Sequence, residues 1–325
     1  MMPTSPSVLV IRLDAIGDAL ALVPLLDAFR ERAIPTDVLL SPSNAGVFSS
    51  RAVREVIVAH EVRPRSSHGR DNRAAIARLA NLLRFRAYTH VLVATEDPAG
   101  YRLARETQAP VRVGFTNLWG KPFKTLWSRS YVNVRVYRSA GLDPRAPHEC
   151  EVLFRLGTPL LGEDATPSRD PHRLRPLVLE DEPTPDRRVA VQISDKWERL
   201  GIAFAAVVEM VRQCSAHGEL RLLSSESESA YADRIEAATA FPVERFSTLY
   251  QWKSAIGAAR AIVTPDSGAL HVAGFVGTPV AAIFPPGRNF RLQVARWLPW
   301  AAPYRIVRAD EGWPARAAGA LAQLL

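Results

Sequence analysis

The chain has 325 residues, of which 47% are apolar and 23% charged, and its formal net charge is +8. This length suits two α/β domains of ordinary size or one large one, and the composition is that of a globular protein. No run of 18 apolar residues is free of charge, so we expect no membrane span. Charged residues in the N-terminal apolar run argue against a signal peptide. Two cysteines without metal-ligand spacing favour a reduced, cytoplasmic protein.

The positive charge is confined to the first half. Residues 1–160 contain 22 Lys and Arg against 14 Asp and Glu, a net +8, whereas residues 161–325 contain 19 of each. A basic half indicates an anionic partner such as a phosphorylated glycolipid, an acidic membrane surface or nucleic acid. An arginine-rich composition inherited from a GC-rich genome explains the excess equally well.

The first half begins with a strand, a turn and a helix. Residues 7–13 (SVLVIRL) predict the strand, and residues 14–18 (DAIGD) the turn. Residues 19–32 predict a helix that Pro24 either kinks or begins. Three more strands are predicted at 36–41, 54–58 and 89–95, with an Arg-rich amphipathic helix at 71–86.

Aromatic and basic side chains alternate between Trp119 and Tyr137. This pattern is typical of nucleic-acid binding by stacking and phosphate contact. It also suits an arginine-lined loop that recognises phosphates on a sugar, or amphipathic side chains at a domain edge. Nucleic acid ranks last because the chain has no recognised binding module.

Six prolines punctuate the polar stretch from Gly157 to Pro185. We therefore predict a linker at 161–186, between a domain of residues 1–160 and a domain of residues 187–325. In the second domain, strands are predicted at 188–194 and 220–223, and helices at 202–217, 229–239 and 249–260. A last helix at 315–325 could pack on either domain.

Residues 261–286 (AIVTPDSGALHVAGFVGTPVAAIFPP) predict a compact strand–turn–helix–strand unit. A helix that starts at the carboxyl end of a parallel strand directs unpaired N–H groups to the crevice where α/β proteins bind ligands. Asp266, Ser267 and Gly268 lie at that start and could hold the phosphates and sugar of a nucleotide-linked ligand. The alternative is that Asp266 only caps the helix, Gly268 only forms a turn and His271 only packs. Glycine-rich dinucleotide and P-loop motifs and an Asp-x-Asp motif are absent from the sequence.

Two segments, Val8 to Arg30 and Ile262 to Pro286, resemble glycosyltransferase family 9, the ADP-heptose:lipopolysaccharide heptosyltransferases. The run from Asp266 to His271 (DSGALH) is similar to the family's Asp-Thr/Ser-Gly-x-x-His. The resemblance implies an α/β protein of the GT-B type, with two Rossmann-like domains whose parallel sheets face each other across a cleft. The N-terminal domain would bind the acceptor and the C-terminal domain the nucleotide sugar.

The resemblance also implies an inverting transfer without a metal or other cofactor. A heptose-type sugar would pass from an ADP-linked co-substrate to an anionic, lipid-linked acceptor similar to the lipopolysaccharide core. The enzyme would be cytoplasmic, with peripheral contact with the inner face of the membrane. Two alternatives are a glycosyltransferase of the same fold that uses another nucleotide sugar or acceptor, and a non-catalytic nucleotide- or carbohydrate-binding homologue.

The resemblance assigns roles to individual residues. Asp18 matches the catalytic base, although it could instead cap the following helix. Lys196 matches a lysine at the donor diphosphate, although it could be a solvated surface lysine. In the family this lysine and the tryptophan are separated by one residue, whereas here Lys196 and Trp197 are adjacent. The remaining predicted site residues are Ser194, Glu228, Asp266, Ser267, Gly268 and His271 for the donor, and Gly17, Arg112, Lys121 and Lys124 for the acceptor.

Overall fold

The computed structural model describes residues 5–62, 70–139 and 146–325. The chain divides into two compact units. The first comprises Met1–Asp143 and Glu149–Ser168, and the second Pro144–His148 and Arg169–Leu325. Each unit contains one six-stranded sheet in which all the neighbouring strands are parallel.

The sheet of the first unit has the order β3-β2-β1-β4-β5-β6. Its central strand, β1, is buried along its whole length because apolar residues and helices cover both faces. The strands are β1 (Val8–Arg12), β2 (Thr36–Leu40), β3 (Glu55–Val58), β4 (His90–Val93), β5 (Val111–Thr116) and β6 (Val134–Tyr137). The helices are α1 (Ile16–Leu20), α2 (Val23–Glu31), α3 (Arg70–Arg84), α4 (Pro98–Glu106), α5 (Pro122–Ser128), α6 (Glu149–Phe154) and α7 (Thr158–Leu161).

The helix predicted at 19–32 is two helices. The first, α1, ends at Leu20, and α2 begins at Val23 with Pro24 in its first turn. A proline at this position loses no hydrogen bond, and its fixed φ suits the helix. Pro24 therefore begins a helix and does not kink one.

The sheet of the second unit has the order β12-β11-β10-β7-β8-β9. The strands are β7 (Val189–Gln192), β8 (Leu220–Ser225), β9 (Val243–Phe246), β10 (Ala261–Pro265), β11 (Val280–Phe284) and β12 (Tyr304–Arg308). The helices are α8 (Pro171–Val178), α9 (Lys196–Arg199), α10 (Phe204–Cys214), α11 (Ser229–Thr239), α12 (Leu249–Ala258), α13 (Gly268–Val276), α14 (Phe290–Trp297) and α15 (Trp313–Ala322). The last helix, α15, packs on α10 in this unit.

The segment predicted as a linker, 161–186, contains helix α8. Over the residues of this helix the linker prediction is wrong. Asp170 caps this helix by accepting a hydrogen bond from the His172 backbone N–H, at 2.9 Å. The helix packs on α13, and its Arg175 donates to the Val276 carbonyl at 2.6 Å. The boundary between the units therefore lies at 168/169, and the prolines of 171–178 belong to a packed helix.

Candidate functional site

The second unit brings the predicted donor-binding residues to one edge of its sheet. Strands β7 and β10 are neighbours in the sheet. From β7 the chain continues to β8 on one side of this pair, and from β10 it continues to β11 on the other side. The carboxyl ends of such a pair form the switch point where open α/β sheets bind ligands. Ser194 and Lys196 follow β7, and Asp266 and Ser267 follow β10.

The start of α13 suits an anionic ligand. Ser267 is the N-cap residue, but its side chain makes no capping hydrogen bond. Its hydroxyl lies 3.1 Å from the Thr264 hydroxyl instead. The positive end of the helix dipole is therefore not screened by the cap side chain, and Gly268 adds no Cβ where a phosphate would approach.

Ser194 and Lys196 lie on the other side of the switch point. The Ser194 hydroxyl is buried and has no hydrogen-bond partner among the described residues. Leaving such a group unsatisfied costs about 1–3 kcal/mol, which a ligand oxygen would recover. Lys196 is the first residue of α9. Trp197 anchors this short helix by donating from Nε1 to the Gln192 carbonyl at 2.9 Å.

Two histidines extend the site behind Lys196. The pKa of His271 on α13 is lowered to about 3, mainly by burial and in smaller part by the nearby His148 and Lys196. The ring of His148 packs against Trp300 with the centroids 4.7 Å apart and the planes tilted by 46°, and its Nε2 lies 2.9 Å from the Leu298 carbonyl oxygen. Burial lowers the pKa of His148 to about 4. Both rings are therefore neutral at physiological pH and add no charge to this edge of the sheet. His148 is not among the site residues predicted from the sequence.

Glu228 lies beyond the end of β8 in contact with a second carboxyl group. The pKa of Glu228 is raised to about 7, mainly by burial and in smaller part by a hydrogen bond to Asp195 and the charge of Asp195. Arg199, at 3.8 Å, opposes it. The pair therefore retains a proton close to neutral pH. Carboxyl groups at this edge suit the hydroxyls of a ribose. The sequence prediction included Glu228 but missed Asp195.

In the first unit, Asp18 lies at the carboxyl end of β1. The buried Arg12 guanidinium donates to Asp18 Oδ1 at 2.8 Å and to the Ala94 carbonyl that follows β4. Asp18 Oδ2 accepts from the Ala15 N–H at 3.2 Å, next to Gly17. Asp18 is thus the third residue of α1, and its carboxylate accepts from the backbone N–H of the N-cap residue, Ala15. It is not the N-cap of a helix at 19–32, as the alternative interpretation had it. About 30% of the Asp18 side chain remains exposed to solvent.

Cations surround Glu96 at the same edge. Nζ of Lys121 and Nζ of Lys124 each lie 3.2 Å from its carboxylate, and the Arg138 guanidinium lies at 3.5 Å. Burial alone would raise the pKa of Glu96, but Lys124, Arg138 and Lys121 lower it to about 2. The buried Glu149 accepts from Arg138 at 3.0 Å. Glu96 directly follows the predicted strand 89–95, which is the signal that could have identified it.

Arg112 does not join this group. It is the second residue of β5, close to the amino end of the sheet. Its guanidinium donates to the Tyr131 and Ala109 carbonyls, at 2.9 and 2.6 Å. This placement does not support the predicted acceptor-binding role, because the guanidinium is bound to backbone carbonyls around β5.

The described residues contain no group of three or more His, Cys, Asp or Glu side chains arranged to hold a metal ion. Nor does any described helix have the length and apolar character needed to cross a bilayer.

Comparison with known proteins connects this geometry to one family. Residues 200–321 match the family model of glycosyltransferase family 9 (heptosyltransferase). The resemblance predicted from the sequence is confirmed. This matched region contains the α13 unit and Glu228. No curated protein matches the chain in a sequence search.

Solved structures of heptosyltransferases share the fold. E. coli heptosyltransferase WaaC with ADP matches with a TM-score of 0.72 and 18% identity, over 98% of each chain. E. coli ADP-heptose lps heptosyltransferase II matches at 0.70 and 18%, also over 98% of each chain. The family 9 glycosyl transferase from Veillonella parvula matches at 0.69 and 16%, over 95% of this chain and 87% of its own. The predicted GT-B class is therefore confirmed, and the family match indicates a glycosyltransferase.

Proposed function

We propose that the protein is an inverting, metal-independent heptosyltransferase. It transfers a heptose-type sugar from an ADP-linked donor to an anionic, lipid-linked oligosaccharide similar to the lipopolysaccharide core. The observation that carries the proposal is the edge between β7 and β10. There the start of α13, to which the Ser267 side chain makes no capping hydrogen bond, lies at one switch point with Lys196 and the unsatisfied Ser194 hydroxyl.

These groups suit a nucleoside diphosphate. A leaving diphosphate needs positive charge fixed in place before the bond breaks. The Lys196 ammonium supplies a compact point charge, and the amide groups at the start of α13 supply oriented donors. The Ser194 hydroxyl is a further donor to a phosphate oxygen. Asp266 and the carboxyl pair of Asp195 and Glu228 can accept hydrogen bonds from sugar hydroxyls, and His271 positions the groups around it.

The acceptor chemistry belongs to the first unit. An inverting transfer needs a base that takes the proton from the acceptor hydroxyl as it attacks C1 of the sugar. Asp18 has that role, with the Arg12 guanidinium fixing its orientation. Lys121 and Lys124 bind phosphate groups of the acceptor. These phosphates would compete with the Glu96 carboxylate for the two ammonium groups.

The choice of ADP is tested by ligand-induced thermal shifts. ADP should raise the melting temperature of the protein more than UDP or GDP at equal concentration, because a ligand that binds only the folded state stabilises it. Lys196→Gln should weaken ADP binding at least about tenfold through loss of charge-assisted contacts. Arg234→Gln is the matched control, since that exposed guanidinium pairs with Glu198 on the surface. A larger shift with UDP or GDP, or none with ADP, would refute the donor assignment.

The ion pair between Arg12 and Asp18 favours a second candidate, a nucleotide-binding protein without turnover. In that case the Asp18 carboxylate serves only to cap α1 and to neutralise Arg12. Incubation with ADP-heptose, with and without a deacylated lipopolysaccharide-core acceptor, separates the two candidates. Acceptor-dependent release of ADP supports the transferase, whereas binding of ADP-heptose with no product supports the second candidate.

A further inference from the structure

The segment that follows β5 exposes four large apolar side chains. Trp119 is 92% exposed and Phe123 88%, and Leu118 and Leu126 are exposed beside them. Single exposed apolar residues are common, but four within nine residues form a patch of the kind that marks an interaction site. None of the roles in sugar transfer uses these side chains.

Hydrogen bonds hold the turn that presents Leu118 and Trp119. The buried Thr125 hydroxyl donates to the Leu118 carbonyl at 3.1 Å. The Asn117 side-chain amide, also buried, donates to the Arg138 carbonyl at 2.8 Å. The exposure is therefore a property of an ordered turn.

One face of helix α5 packs against its own unit, and the other face is exposed to solvent. Its Trp127 contacts Tyr101 and Tyr131, with ring centroids 5.5 and 4.5 Å apart. Phe123 and Leu126, one helical turn apart, lie on the exposed side. The helix thus has apolar side chains on two faces, and the exposed one has no partner within the described residues.

The surrounding sequence is exclusively basic. Residues 107–142 contain six Arg or Lys and no Asp or Glu. Arg129, at the end of α5, is exposed and forms no ion pair within the described part of the chain. In the folded unit Lys121, Lys124 and Arg138 share the Glu96 carboxylate, so the surroundings of the patch keep a net positive charge. An apolar patch with a net positive surround is complementary to an anionic surface that has an apolar layer beneath it.

We propose that residues 118–129 dock the protein on an anionic phospholipid bilayer. Trp119, Phe123 and the two leucines enter the boundary between headgroups and acyl chains, and Arg129 contacts the headgroup phosphates. This docking accords with the proposed function, because a lipid-linked acceptor lies at such a surface. Vesicle binding can nevertheless be measured without nucleotide or acceptor, so the two proposals stand or fall separately.

Two other occupants fit the patch less well. Single-stranded nucleic acid would use the aromatic rings for stacking, but the aliphatic Leu118 and Leu126 have no π-face to stack. A stable dimer interface involves about 20 to 30 residues on each side. The patch offers only four apolar side chains, together with cations that would repel a second copy.

The test is sedimentation of the purified protein with vesicles of phosphatidylcholine and phosphatidylglycerol, compared with phosphatidylcholine alone. The wild type should bind the anionic vesicles, and added salt should weaken its binding. The double variant W119S/F123S should bind at least about tenfold more weakly, because two apolar side chains no longer leave water. Brominated lipids should quench the tryptophan fluorescence of the wild type more than that of W119F, because W119F lacks the indole that enters the bilayer.

The matched control is L82S/F85S, which removes an exposed leucine and an exposed phenylalanine from the α3 end of the same unit. It should bind the vesicles as the wild type does, and both double variants should keep the wild-type melting temperature. Equal loss in the two double variants, or no binding by the wild type, overturns the proposal. So does wild-type dimerisation that W119S/F123S abolishes, or binding of a single-stranded oligonucleotide in preference to the vesicles.

Discussion

The Arg12 guanidinium donates a 2.8 Å hydrogen bond to Oδ1 of Asp18, and Arg12 is almost completely buried. The proposed base is thus held by a partner at the end of the central strand of its own unit. A group oriented in this way has a defined direction towards its substrate. The same ion pair contributes to stability, so activity and folding must be measured separately.

Asp18→Asn should lower kcat by about 10²–10⁴-fold, the usual contribution of a general base. The single asparagine oxygen can still accept the hydrogen bond from the Ala15 N–H, whereas its NH2 group cannot accept from Arg12. Asp14 and Glu149 still pair with Arg12, so we expect a folded protein with a lower melting temperature. Activity is measured as acceptor-dependent ADP release, and folding by thermal melting. Asp14→Asn is the control, since it removes another carboxylate from Arg12, 3.4 Å away. Near-wild-type kcat in a folded D18N protein would exclude Asp18 as the base.

Replacing Arg12 should destabilise the first unit strongly. The guanidinium lies against the carboxylates of Asp14, Asp18 and Glu149 and also donates to the Ala94 carbonyl. Removing one partner of a buried ion pair costs about 3–5 kcal/mol, because the remaining charges stay buried. Urea denaturation of Arg12→Met should therefore show a much lower midpoint. The double variant R12M/E149Q should recover part of the loss, and an unchanged midpoint in R12M would contradict this account.

Much of the fold could be predicted from the sequence because its strands are strongly apolar. The elements predicted at 7–13 and 261–286 agree with β1 and the α13 unit of the structure to within a few residues. The interior strand β5 and the short edge strands β6, β9 and β12 were missed because charged or polar residues interrupt their apolar side chains. Helix α8 was mistaken for a linker because Pro171 and Pro176 were interpreted as breaks, although Pro171 stands at the first helical position.

The candidate site could be predicted only where a motif is contiguous. The run from Asp266 to His271 occupies one turn and one helix start, so its pattern is visible in the sequence. Glu96, Arg138 and Glu149 come together from three separate elements, and no local pattern links them. Arg112 was assigned to the acceptor site from its charge, and charge alone does not reveal which end of a parallel strand a residue occupies.

The carboxyl group of Glu228 should make stability depend on pH. Its pKa is raised to about 7 from an ordinary 4.5. Between these two values the folded state binds a proton that the unfolded state has lost, so stability falls as the pH rises through this window. Glu228→Gln has no proton to lose and should be more stable than the wild type at pH 8, by roughly 2 kcal/mol.

Below about pH 4 that difference in stability should vanish, because Glu228 is then protonated in both states. The measurement is the free energy of unfolding in urea across the pH range. The control is Glu226→Gln, which changes an exposed carboxyl group two residues away. If the free energies of unfolding of wild type and E228Q differed by the same amount at all pH values, burial would not raise the pKa of this carboxyl group.

Two helical glycines should respond to alanine in opposite directions. A Cβ at Gly274 in α13 would lie 3.0 Å from the Trp300 backbone nitrogen and 3.1 Å from Cα of Pro299, too close for either to remain in place. Gly274→Ala should therefore destabilise the protein by about 1–3 kcal/mol. At Gly319 in α15 a Cβ meets nothing within 4 Å, so Gly319→Ala should stabilise the protein by about 0.5–1 kcal/mol.

The Gly274 variant also tests whether α13 forms part of the ligand site. A shift of this helix away from Pro299 and Trp300 would move its start, where Ser267 and Gly268 stand. Gly274→Ala should therefore weaken ADP binding measured by calorimetry, whereas Gly319→Ala should leave ADP binding unchanged. Equal ADP affinity in both variants, with G274A shown to be folded, would mean that the position of α13 does not govern nucleotide binding.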